Sequence, residues 1–177
     1  MIMHNTVIRL FLFFLTLFLV ACGSGSKQSG RTTGVLITGL FADANLQACV
    51  DAQAASNSWG KYADEATGFL SCSNKSITNL TGLKNFTKLE RVILDNNPIG
   101  GTHVAKNLAE LASLTQLVLL DIHATAITGS ADLSVLKTLV NLTRLNLSAN
   151  DLGDLSWLVR LAAKLITFVL AVALRKS

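Results

Sequence analysis

The chain has 177 residues, a length that suits one domain preceded by a targeting segment. Half of the residues are hydrophobic but only 6% are aromatic, so any core is aliphatic. The formal net charge of +4 is spread along the chain and is too small to indicate nucleic-acid binding.

The first 22 residues have the organisation of a signal peptide. A short polar region containing Arg9 precedes an apolar run at 10–20, which at about 1.5 Å per residue is too short to cross a hydrocarbon core of about 30 Å. The run ends in Leu19-Val20-Ala21-Cys22, which resembles the lipobox of bacterial lipoproteins. That resemblance implies a leader at 1–21 and acylation of Cys22. The alternative is an ordinary cleaved leader with a chance cysteine.

Residues 22–38 are predicted to be the lipidated cysteine and a flexible tether. The segment 23–34 contains glycine, serine, threonine and charged or amide residues and no apolar residue, a composition typical of linkers. Glycine follows Cys22, whereas aspartate at that position retains many Gram-negative lipoproteins at the inner membrane. The resemblance therefore implies a location in the bacterial envelope, at the outer membrane, with the lipid as the membrane contact.

Residues 39–69 are predicted to form an N-terminal cap, because they lack the repeat that follows. Leu46, Cys49 and Val50 have helical spacing, and Asp43 is a suitable N-cap for that helix. A stack of repeats exposes its core at each end and needs a different element to seal it.

Residues 70–177 contain a repeat of four to five units. The segment Leu89–Ile99 fits the pattern LxxLxLxxNxI, and two good copies, a weaker first copy and a degenerate last copy surround it. Their matching positions are Leu117, Leu120, Ile122, Thr125 and Ile127; Leu142, Leu145, Leu147, Asn150 and Leu152; Leu70, Cys72, Lys75 and Ile77; and Leu165, Phe168, Leu170 and Ala173. The second unit is longer by an insertion near 100–105.

The pattern predicts short parallel strands. Leucines two positions apart point to one face of a strand, and one unit alone cannot bury that face, so the units must stack. Further leucines recur every third residue between the strands and predict short helical or 3₁₀ segments, with Leu108–Leu117 as the best helix.

This pattern resembles the leucine-rich-repeat family, in particular the 22-residue internalin-like type, over about residues 69–170. The resemblance implies an α/β solenoid, a right-handed stack of coils with strands on a concave face and helical segments on the convex side. It also implies that Asn97 and Asn150 are buried and bond backbone groups of adjacent coils. Thr125 can do so only in part, and Lys75 cannot.

Two cysteines remain besides Cys22. Cys49 lies in the predicted cap helix and Cys72 in the first strand, so in an oxidising compartment a disulfide would join the cap to the first coil. The alternative is a free buried thiol at Cys72, which occupies a leucine position. Two cysteines without nearby histidines lack the ligands for a metal site, and the sequence predicts no metal and no cofactor.

The outward strand positions form the candidate binding face. They are Glu90, Arg91, Ile93, Asp95, Val118, Leu119, Asp121, His123, Thr143, Arg144, Asn146 and Ser148. Apolar residues at three of these positions indicate a protein interface or simple packing tolerance, and the sequence does not separate the two. Asp95, Asp121 and Asn146 are assigned to equivalent positions of successive coils. With His123 they suggest an acid–base cluster, but a solvated face is the stronger interpretation, and no enzyme is predicted.

The sequence therefore predicts an envelope-anchored repeat protein that binds a protein or surface ligand of unknown identity through its concave face. Two alternatives are a structural envelope lipoprotein without a dedicated ligand and a fragment of a longer repeat protein. The second rests on the last unit, where Ala173 replaces the asparagine and the outward positions Ile166 and Val169 are apolar. A membrane-seeking tail or pairing with a second chain would also explain that unit.

Overall fold

The computed structural model describes residues 34–153 and the backbone of 167–169. The predicted leader, Cys22 and most of the predicted fifth unit lie outside the described residues. Among the described residues, no helix is both long enough and apolar enough to span a membrane.

The described residues form one parallel sheet with helical segments between its strands. The strands, in sheet order, are β1 Gly68–Ser71, β2 Leu89–Ile93, β3 Leu119–Asp121, β4 Arg144–Asn146 and β5 Thr167–Val169. The helical segments are α1 Ala44–Ser56, α2 Val104–Ala112 and 3₁₀ turns at Ala63–Glu65, Leu83–Asn85 and Leu133–Thr138. Strand order follows chain order, so each repeat coil pairs with the next, as the sequence predicts.

The strand register follows the leucine pattern. Leu70 pairs with Val92, Val92 with Leu120 and Leu120 with Leu145. Leu145 pairs with Phe168, so the backbone of the fifth strand keeps the predicted repeat phase. The inward leucines and the three-spaced leucines between strands form one buried aliphatic cluster with the cap. Burial of that shared cluster is what stabilises coils too small to fold alone.

Two buried asparagines satisfy backbone groups across coils. Asn97 Oδ1 accepts hydrogen bonds from the backbone N–H groups of Lys75 and Ile77, and its Nδ2 donates to the carbonyls of Cys72 and Leu94. Asn150 does the same for the preceding coil. These side chains form hydrogen bonds with backbone groups whose burial without a partner would destabilise the fold.

At the equivalent position of the third coil, Thr125 makes fewer bonds. Its Oγ1 donates to the Ile122 carbonyl 2.8 Å away, and the Asn150 Oδ1 lies 3.1 Å from it. The partial role expected from the sequence is therefore what the structure contains.

The insertion builds α2, which begins and ends earlier than the predicted helix at 108–117. Its buried Asn107 accepts from the N–H of Leu80 and donates to the carbonyls of Thr78 and Ile99. Glu110, one turn later, accepts from the N–H groups of Gly82 and Lys84. Both side chains thus bind the helical side of the first coil, a role that sequence reasoning missed.

The cap contains the predicted helix, and both ends of the cap lie a few residues earlier than predicted. Asp43 is the N-cap of α1, and its Oδ1 accepts from the N–H groups of Asn45 and Leu46. The backbone of Ile37 donates to Lys61, and Ile37 is buried, so the cap includes residues that the sequence assigned to the tether at 22–38. At its other end, β1 starts at Gly68, before the predicted boundary at residue 69.

Candidate binding surface

The exposed side of the sheet, which we call the strand face, carries three rows of side chains. The parallel register sets the rows, since neighbouring strands lie about 4.8 Å apart. The first row is Phe69, Arg91, Leu119 and Arg144. The second row is Ser71, Ile93, Asp121 and Asn146. Backbone hydrogen bonds align a third row just beyond the strands, consisting of Ser73, Asp95, His123 and Ser148.

This register corrects one sequence assignment. Asp95 does not share a position with Asp121 and Asn146, because Ile93 is the residue that pairs with Asp121. Asp95 belongs to the third row with His123. Asp95 and Asp121 therefore lie in different rows. The predicted set of three equivalent polar positions, Asp95, Asp121 and Asn146, does not form.

The residues assigned to the binding face differ in their exposure to solvent. Glu90, Arg91, Val118 and Arg144 are exposed, and Ile93, Leu119 and Asp121 are half-buried. Ser148 departs from the assignment, since it is only 7% exposed. It is covered because its hydroxyl contacts the side chains of Asn146 and His123.

The first row combines apolar and cationic groups. Phe69 of this row is 38% exposed, and Val118, which precedes Leu119 in the chain and lies outside the row, is 39% exposed. Both are among the large hydrophobic residues that the described part of the chain leaves in contact with solvent. The guanidinium of Arg91 lies over the Phe69 ring, 5.4 Å from its centroid, in a cation–π contact. Arg144 lies two strands away, on the far side of Leu119.

The second and third rows are joined by a hydrogen-bonded chain. Asn146 Nδ2 donates to Asp121 Oδ2 at 3.0 Å, which leaves Asn146 Oδ1 to accept from the Ser148 hydroxyl at 2.7 Å. Ser148 Oγ lies 2.8 Å from His123 Nδ1. Because the single hydroxyl proton of Ser148 goes to Asn146, the ring Nδ1 of His123 is the donor to Ser148.

This geometry separates the carboxylate from the imidazole. Asp121 Oδ1 accepts from the backbone N–H of His123, not from its ring. The ring is held by a serine hydroxyl, so Asp121 does not orient it as the acid of a catalytic dyad would. Within residues 34–153 and 167–169, no group of three or more histidine, cysteine or acidic side chains is placed to hold a metal ion.

The acidic side chains of the second and third rows are engaged internally. Asp121 accepts the two bonds described above, and Asp95 accepts from the Ser73 hydroxyl and from the side-chain amide of Asn96. Among the described residues, by contrast, no acidic side chain pairs with Arg91 or Arg144. Within the described residues, the cations of the first row are thus the charges on these rows that no side chain of opposite charge neutralises.

Cys49 and Cys72 join the cap to the edge of this surface. They form a disulfide with a Cα–Cα distance of 5.9 Å, the pairing that the sequence predicts, and Cys72 is fully buried at an inward position of the first coil. The bridge fixes α1 beside β1, which carries Phe69 and Ser71.

Sequence reasoning missed the part of the strand face that β1 contributes. The predicted binding face lacks Phe69, Ser71 and Ser73 because the predicted cap extends to residue 69 and the first repeat copy is weak. The signal was present, since Leu70 and Cys72 alternate with these residues and occupy the inward positions.

The comparisons agree with the class of protein that the sheet defines, a leucine-rich-repeat protein. No family model and no curated protein matches the chain. Among solved structures, the internalin InlF from Listeria monocytogenes is 27% identical, with a TM-score of 0.63 over 82% of this chain and 41% of that one. The chain therefore spans about two fifths of that InlF chain.

Internalin C2 from the same species is 16% identical over 79% of this chain and 98% of its own, with a TM-score of 0.29 that adds nothing to the assignment. The parallel sheet and the likeness to InlF together make this an internalin-like leucine-rich-repeat fold.

Proposed function

We propose that the protein binds a protein partner through the strand face. The observation that carries the proposal is the first row, where exposed Phe69 and half-buried Leu119 alternate with two cations. Apolar side chains rimmed by charge are typical of interfaces, with aromatic and arginine residues contributing most of the energy. A binding role without catalysis also accords with the separation of Asp121 from the His123 ring and with the internalin-like fold.

Site-specific photocrosslinking tests this proposal. A photoreactive amino acid replaces Leu119 on the strand face or, as a control, exposed Lys137 in the 3₁₀ segment between strands. We expect a discrete crosslink to an envelope protein from position 119, reduced by an excess of unlabelled chain, and no such product from position 137. Equal or non-saturable products from both positions would favour a structural envelope protein without a dedicated ligand.

We further propose that the chain is tethered to the bacterial envelope through acylated Cys22. The lipobox-like tetrad and the linker composition of 23–34 support this anchor, and Gly23 favours the outer membrane. The test is metabolic labelling with a fatty-acid probe, which should label the natural chain and not Cys22→Ser. Equal labelling of both would contradict the anchor.

A further inference from the structure

The two first-row cations flank an apolar position at a defined spacing. Arg91 and Arg144 each pair in register with Leu119, one strand away on either side. Two strand spacings separate them by about 10 Å. The buried residues that follow them, Val92 and Leu145, fix the alternation, so Arg91 and Arg144 lie on the exposed side of the sheet.

We propose that the partner presents to this row a helical segment with an acidic, an apolar and an acidic side chain on one face. This inference rests on the proposed binding function and names the chemistry of the partner. Carboxylates seven residues apart on a helix lie about 10.5 Å apart, which matches the separation of the two arginines, and the residues three or four along lie between them. The apolar side chain between them then meets Leu119, whereas Phe69 lies one strand beyond Arg91.

The charges on the strand face indicate that the partner's contacting side chains are negatively charged. Asp95 and Asp121 already accept hydrogen bonds from neighbouring coils, whereas the described residues supply no carboxylate to Arg91 or Arg144. Glu90 is exposed beside this row and would repel an acidic partner, but the row has two cations against this one acid. Arg91 is also held over Phe69, so part of its side-chain freedom is already lost before binding.

The test uses a displayed library on a single-helix scaffold in which positions i, i+3, i+4 and i+7 are randomised. The target is the chain 22–177 carrying Cys22→Ser, compared with the same chain carrying Arg91→Glu and Arg144→Glu. The control target carries Lys84→Glu and Lys137→Glu, which change two exposed charges on the 3₁₀ segments by the same amount.

We expect acidic residues at i and i+7 and apolar residues between them on the first target and on the control. On the double arginine variant, the selected helices should bind about tenfold more weakly, and a new selection should enrich lysine and arginine at i and i+7. Circular dichroism of each target shows that it remains folded.

A further variant, Leu119→Asp, tests binding at the strand face separately from the acidic chemistry of the partner. If selected helices lose binding to Leu119→Asp but show no acidic preference, the strand face binds and the inferred partner chemistry is wrong. If no helix is selected, the inferred partner chemistry is wrong, and crosslinking from position 119 decides separately whether the strand face binds. If the selected helices bind Leu119→Asp unchanged, they bind elsewhere on the chain, and the inferred partner chemistry is again wrong.

Discussion

At the scale of single residues, the four described repeat turns each contain a left-handed residue just before the inward asparagine position. Asn74, Asn96, Ala124 and Ala149 have φ values of 53°, 56°, 49° and 54°. Asparagine tolerates this conformation because its short polar side chain can bond locally, whereas alanine is strained there by about 1 kcal/mol.

We therefore expect Ala124→Asn to raise the free energy of unfolding by about 0.5–1 kcal/mol. The matched control is Ala109→Asn, an exposed position within α2, where asparagine is a weaker helix former and should lower stability by about 0.6 kcal/mol. Urea denaturation of both variants measures the difference. A loss of stability in both would show that the left-handed turn does not govern the effect.

At the scale of elements, Asp43 joins the cap helix to the first coil. One carboxylate oxygen caps α1, and the other accepts from the N–H groups of Thr78 and Asn79 and from the Thr78 hydroxyl. Partial burial raises the pKa of Asp43, but the hydrogen bonds from Thr78, Leu46 and Asn79 together outweigh it and hold the pKa below its usual value.

Because the folded-state pKa is lowered, the charged form of Asp43 stabilises the fold at neutral pH, and this contribution disappears as pH falls through the folded pKa. Asp43→Asn should cost about 1–2 kcal/mol at pH 7, since an amide nitrogen cannot accept from Thr78. The cost should shrink as the pH falls below about 3.9, the pKa of an ordinary aspartate. Unfolding curves from neutral to strongly acidic pH measure it. The control is Asp132→Asn, an N-cap whose carboxylate bonds Ser134 within its own turn, and it should cost less at pH 7 because it joins no second element. A pH-independent cost would contradict the assignment.

The insertion joins its own coil to the next through close backbone contact. A Cβ on Gly100 would lie 2.2 Å from the carbonyl oxygen of Ala126, a contact that side chains do not make. A Cβ on Gly101 would meet only the Pro98 carbonyl, at an ordinary 3.6 Å.

Gly100→Ala should therefore destabilise the protein by about 3 kcal/mol, because the coils must move apart to admit the methyl group. Gly101→Ala should change stability by no more than about 0.5 kcal/mol. Thermal unfolding of the two variants provides the comparison. Similar melting temperatures for both would mean that the coils separate there without cost.

The sequence predicted most of the strands because inward leucines recur with a period that the stacked coils themselves require. It placed Asp95 in the wrong row, although the aligned leucines of the two repeats already pair Ile93 with Asp121 and Asp95 with His123. The roles of Asn107 and Glu110 were not predictable from local pattern. Their partners are backbone N–H groups of Leu80 and Gly82, 27 and 28 residues away, which only the insertion's placement brings near.

At the scale of the whole molecule, the cap and the coils share one core. Phe86 of the first coil stacks on Phe41 with ring centroids 5.8 Å apart and lies 6.1 Å from Trp59, and both of these partners belong to the cap. The Cys49–Cys72 disulfide joins the same two parts and closes a loop with a sequence separation of 23. The aromatic contacts couple the two parts in the folded state, whereas the disulfide also restricts the unfolded chain.

These two links predict one cooperative transition whose midpoint depends on redox state. In the chain 22–177 with Cys22→Ser and Trp157→Phe, Trp59 fluorescence reports the cap and far-ultraviolet circular dichroism reports the whole chain. Both signals should change together in urea, before and after reduction, because Phe86 still holds the cap. Reduction should lower the unfolding free energy by about 3 kcal/mol. The variant with Cys49→Ala and Cys72→Ala should not respond to the reductant. Transitions that separate on reduction would show that the disulfide alone couples the cap to the coils, and an unchanged midpoint would show that the bridge does not form in solution.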